Sequence, residues 1–156
     1  MPRLITHTTG LFTALLMLLL VSAPVVAQQS GIDRVGAYEI HYDVLPTAFL
    51  NPQVAQGYNL VRSRGQGMVR VTVLKRLDDG SVEPVRATVS GQVGNLAGQV
   101  NGLGFRMVEV GRREGYSHIA TFRFSHDDPL RFNLRVIYAP GEPPHELHFI
   151  RRLYLD

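Results

Sequence analysis

The feature that most constrains this chain is a period-two alternation of apolar and polar residues, repeated in short runs between turn signals. Tyr38, Ile40 and Tyr42 alternate with Glu39, His41 and Asp43, as a half-buried strand requires. Met68 to Leu77 sets Val69, Val71 and Val73 on one face and Arg70 and Thr72 on the other. Asp78-Asp79-Gly80 is a hairpin turn signal. The return strand lies within Val82 to Val93 and is broken only at Pro84. Further runs follow at Leu103 to Val110, Tyr116 to Phe124, Leu130 to Tyr138 and His145 to Leu155. The turns between them are Gly111 to Gly115, Ser125 to Pro129 and Pro140 to Pro144. Asn51-Pro52 opens a short helix near 52–58, expected as a connection outside the core. No amphipathic stretch reaches the length of a crossover helix. The expected fold is therefore all-β, an immunoglobulin-like antiparallel sandwich of about seven strands. The cysteine pair and core tryptophan of antibody domains are both missing.

The N-terminus reads as an export signal. Arg3 is the only charged residue before an apolar run from Leu11 to Val21, and Ser22 to Ala27 (SAPVVA) supplies a cleavage site. The expected organisation is a signal peptide over 1–27, a flexible N-terminus over 28–35, and a single domain over 36–156. Cleavage near Ala27 implies a periplasmic or secreted protein. No later stretch is apolar over the roughly 20 residues that a membrane helix needs.

Composition narrows the chemistry. The chain has no cysteine, which excludes thiol nucleophiles, thiolate metal sites and disulfides. Beyond Ala27 the balance is 15 basic to 13 acidic residues, net +2. This is too even to point to nucleic acid. Lys75 is the only lysine among arginines. Arginine suits bidentate contact with carboxylates and phosphates, so anionic envelope groups or envelope proteins are the expected partners.

The reactive residue types form no convergent set. Ser125-His126-Asp127-Asp128 sits in a turn, and adjacent residues cannot build a triad. The glycines between 91 and 104 lack the lysine and following helix of a phosphate loop. No cofactor is expected. His145 and His148 point to opposite faces of a strand, although one could meet His41, so His41, His145 and His148 are the only metal candidates. His118 shares the apolar parity of its strand and is expected to be partly buried. Arg151 shares the parity of Leu147, Phe149 and Leu153, which calls for a rim position or a bulge. Arg112-Arg113 and Arg151-Arg152 are charge doublets. The best binding candidate is the loop Arg62-Ser63-Arg64-Gly65-Gln66-Gly67. There Arg62, Ser63 and Arg64, with Tyr58 ahead of them, offer guanidinium and backbone N–H groups to an anion.

Phe49-Leu50-Asn51-Pro52, Val54-Ala55, Tyr58 and Arg62-Ser63, leading into the valine strand and on to a closing HFIRRLYLD, resemble a family of small secreted bacterial proteins known as domain of unknown function 4426. The resemblance implies an immunoglobulin-like sandwich and a periplasmic location. It implies no activity and assigns no functional residues. The expected function is a non-enzymatic binding or accessory domain of the cell envelope, with contact through 50–67. The alternatives are a metal-dependent hydrolase using the histidines and a strand-pairing chaperone.

Overall fold

The computed structural model describes residues 29–110 and 115–155. The export signal and the Arg112-Arg113 doublet lie outside the described residues. The chain order is β1 (Gln29–Val35), β2 (Tyr38–Pro46), a 3-10 turn (Thr47–Phe49), α1 (Pro52–Gly57), β3 (Gln66–Arg76), β4 (Val82–Val85) and β5 (Thr88–Asn95). It continues with β6 (Val100–Gly102), β7 (Arg106–Val110), β8 (Gly115–Arg123), β9 (Pro129–Ile137) and β10 (His145–Arg152).

The alternating segments build an antiparallel β-sandwich, the fold class the sequence points to. One sheet has the order β1-β2-β3-β8-β7, with β4 also paired to β3; the other has the order β10-β9-β5-β6. Among the described residues ten strands stand where about seven are expected, for three local reasons. Residues 29–35 are not a frayed terminus but pair with β2 from Gln29↔Val44 to Val35↔Tyr38. The return from the Asp78-Asp79-Gly80 turn splits in two. β4 stays on β3, with Pro84 opposite Leu74, and β5 crosses to the second sheet to pair with β9. The glycine-rich stretch adds the short β6 on β5.

The core lies between the sheets. Ile40, Val69, Val71 and Val73 meet Phe132, Leu134, Val136 and Leu147, all essentially inaccessible. Each such side chain contributes about 1.5–3 kcal/mol by leaving water. Two glycines mark close approaches. A Cβ on Gly91 would lie 2.4 Å from the Asn133 carbonyl oxygen, and one on Gly67 would lie 2.4 Å from Cζ of Phe122. The outer face of the first sheet carries a second apolar cluster of Leu50, Ala55, Tyr58, Met68, Val108 and Ile119. The short helix is thus more than a connection, because it roofs this face.

Candidate binding surface

The roof is a surface loop with tied ends. The Ser63 N–H donates to Thr47 Oγ1 at 3.0 Å, and that hydroxyl donates to the Ser63 carbonyl at 3.2 Å. One step inward on each arm, Arg62 Nη2 donates to the Ala48 carbonyl at 2.7 Å. Loops of this kind, with ends close together, frequently carry function.

Local signals shape the interior of the loop. The Asn51 side chain accepts from the Gln53 N–H at 2.9 Å and caps α1, with Pro52 in the first turn. The helix stops at a Schellman motif. Asn59 takes the left-handed conformation at φ 49°, its N–H donates to the Gln56 carbonyl at 2.9 Å, and the Leu60 N–H donates to the Ala55 carbonyl at 2.8 Å. Leu60 packs with Ala55 in the outer cluster. Arg106 of β7 donates to the Tyr58 carbonyl and pins the loop from the sheet side. Leu50, Ala55, Tyr58 and Leu60 point down onto the sheet, which leaves Phe49 (50% exposed), Val54 (41%) and Val61 (74%) facing water.

The four sequence-derived binding residues separate in role. Tyr58 is buried and structural. Ser63 is held at the clip through its backbone. Arg62 is exposed but spends one N–H on Ala48. Arg64 is exposed and makes no hydrogen bond or ion pair among the described residues. Residue-by-residue reading missed the apolar members Phe49, Val54 and Val61. The signal was present nonetheless, since no Asp or Glu occurs between Asp43 and Asp78.

The three metal-candidate histidines do not converge. His41 lies on the outer face of the first sheet, 3.2 Å from Glu39. His145 points inward at the sandwich edge, 2.9 Å from Asp33 of the other sheet. His148 lies on the outer face of the second sheet, 2.9 Å from Asn133. Among the described residues no group of three His, Asp or Glu side chains is placed to hold a metal ion. The physical reason is strand parity, which sends His145 and His148 to opposite faces of the second sheet and puts His41 on the outer face of the first sheet, away from the inner face that His145 reaches at Asp33.

Two further groups are structural. Glu39 accepts from His41, Arg76 and Arg34, and these bonds in that order hold its carboxyl down at about 2, against an ordinary 4.5. His118 is 5% exposed inside the sandwich, and its Nδ1 has no hydrogen-bond partner among the described residues. Burial pushes this imidazole below its ordinary 6.5, while bonds to the Ala87 and Val71 backbone work the other way. Arg151 sits 4.9 Å over the Phe149 ring at the sandwich edge, which gives the rim position its parity called for.

The family model described as domain of unknown function (DUF4426) matches residues 25–156. The crystal structure of a DUF4426 family protein from Pseudomonas aeruginosa PAO1 superposes with a TM-score of 0.68 at 31% identity, covering 81% of this chain and 96% of that one. FetP of uropathogenic Escherichia coli strain F11, expressed recombinantly in the periplasm of E. coli BL21(DE3), superposes with a TM-score of 0.56 at 10% identity, covering 80% of this chain and 93% of that one. This second likeness is one of fold alone. No curated protein matches the chain.

Proposed function

The chain belongs to the DUF4426 family, and we propose that this protein is a non-enzymatic binding or accessory domain of the cell envelope that holds its partner through the loop 47–65. One observation carries the reading. A loop clipped at Thr47–Ser63 presents Phe49 and Val61 to water beside Arg62 and Arg64, on a surface segment with no acid. Apolar side chains at a water-facing site supply burial on contact, and the guanidinium groups supply attraction to carboxylates or phosphates. The partner is an envelope protein or other envelope component with anionic groups. Sheet-mounted loops are common binding elements because the scaffold holds them in place at little entropic cost.

Export belongs to the same reading. The charged start, apolar run and small-residue site ending at Ala27 support cleavage there and a periplasmic or secreted location. Among the described residues no helix is long and apolar enough to cross a membrane.

The test is capture from the cell envelope by the purified protein. Arg64→Glu reverses a charge that supports nothing in the fold. It should weaken capture about fivefold, the worth of an exposed charge contact of about 1 kcal/mol, with an unchanged melting temperature. Capture that is indifferent to Arg64→Glu and to Val61→Ser overturns the reading.

A further inference from the structure

The two neighbours of β8 cover different parts of it, β3 from His118 to Arg123 and β7 from Gly115 to Ile119. β3 accompanies it as far as Gln66↔Arg123, whereas its pairing with β7 runs only from Val110↔Gly115 to Arg106↔Ile119. In an antiparallel ladder, alternate residues turn both main-chain groups toward a given neighbour, and the residues between turn theirs away. The Phe124 N–H donates to the Gly65 carbonyl at 3.2 Å, which fixes that alternation. Phe122 and Ala120 bond to Gly67 and Val69, and Thr121 and Arg123 direct their N–H and C=O groups away from β3. Ile119 does the same and meets Arg106 of β7. Thr121 and Arg123 lie beyond the end of β7, and no backbone bond to either is made from outside the ladders among the described residues. Two donors and two acceptors, spaced two residues apart, therefore stand on an open strand edge.

The space beside them is open too. A cleft of about 370 Å³ has Thr121 and Arg123 on one side and Asn101 and Gly102 of β6 on the other. It adjoins a second cleft of about 430 Å³ with which it shares Val93, Asn101 and Arg123. The side chains of Gln66, Asn101 and Arg123 make no hydrogen bond or ion pair among the described residues. The acid Asp128 lines only the second cleft, so the charge facing the open edge of β8 is that of Arg123.

We propose that Thr121–Arg123 accepts an extended segment of a partner polypeptide by strand addition, with an acidic side chain of that segment against Arg123. Main-chain pairing supplies the affinity and the guanidinium selects the sequence. This site begins where the loop 47–65 ends, at Gly65 in the second cleft, and it uses neither the apolar side chains nor the arginines of that loop.

The test is an amide NMR titration of the full domain with a capped hexapeptide that alternates valine and threonine around one glutamate, and with its lysine counterpart. The Thr121 and Arg123 amides should shift and become protected from exchange. The glutamate peptide should bind about threefold more tightly than the lysine peptide, as an exposed ion pair allows. Thr121→Pro removes only the outward donor, as an edge position tolerates. It should abolish the shift of the Arg123 amide while the melting transition stays in place, and Arg123→Gln should abolish the preference for glutamate. Peptide shifts that leave these two amides untouched, or an Arg123 shift that survives Thr121→Pro, overturn the proposal. Concentration-dependent protection of the same amides without peptide also overturns it, by assigning the edge to a second copy of the chain.

Discussion

Asp33 and His145, 112 residues apart in the chain, join the two sheets at the edge of the sandwich, with Nε2 of the imidazole 2.9 Å from Oδ2 of the carboxylate. Asp33 belongs to the first strand and His145 to the last. Tyr42 completes the corner. Its hydroxyl donates to Asp33 at 3.5 Å, and its ring stacks on Phe149 at a centroid distance of 4.7 Å. Asp33→Ala removes the cross-sheet bond and releases the tyrosine hydroxyl. It should cost about 1 kcal/mol, read as a fall in melting temperature of roughly 3–5 °C. An unchanged transition would show that the edge is held by ring stacking alone.

Glu39 contributes to the acid sensitivity of the fold. Its folded carboxyl titrates near 2, below the ordinary 4.5, because His41, Arg76 and Arg34 bond to the charged form. Stabilisation is therefore complete above about pH 4.5 and is lost as pH falls toward 2. Glu39→Gln should be less stable at neutral pH and show a flatter stability profile between pH 5 and pH 2, measured by urea unfolding at each pH. Parallel profiles for the two proteins would contradict this.

His118 acts in the same direction at higher pH. Its buried ring favours the neutral form, with a folded value below the ordinary 6.5. Stability is present above about pH 6.5 and declines as the pH falls below it. His118→Leu removes this titration and keeps an apolar side chain of similar size in place. The difference in unfolding free energy between wild type and variant should change between pH 7.5 and pH 5, in favour of the leucine variant at low pH.

Two glycine substitutions separate close approach from simple chain freedom. Gly91→Ala drives a Cβ into the backbone of β9, at 2.4 Å from the Asn133 carbonyl, and should destabilise by about 1–3 kcal/mol. Gly57→Ala meets nothing within 4 Å at the end of α1 and should stabilise by about 0.5–1 kcal/mol. Thermal unfolding of the pair should therefore move in opposite directions.

The strands that bury one face were legible, because Val69, Val71 and Val73, or Leu130 to Tyr138, carry their alternation in the residues themselves. β1 was not. Among Gln29–Val35 only Ile32 and Val35 are apolar, and the segment is ordered by its ladder to β2 and by the Asp33–His145 bond, neither of which leaves a local pattern. The start of α1 was legible in Asn51-Pro52, but its stop is made by Asn59 in the left-handed region and not by Gly57. At the candidate surface the arginines stood out as residue types. The clip that ranks them did not, since Thr47 and Ser63 meet only after the intervening residues fold onto the sheet. The histidines looked like a set because sequence spacing does not reveal which face of which sheet each residue takes.

Site-specific photo-crosslinking in intact cells tests the assignment of loop 47–65 most directly. A photoreactive residue placed at Val61 is compared with one at Ile137, which is 44% exposed on the outer face of the second sheet. The account predicts a discrete adduct from position 61, none from position 137, and loss of the adduct when Arg64→Glu is added. Equal labelling from the two positions, or an adduct at 61 indifferent to Arg64→Glu, would contradict it.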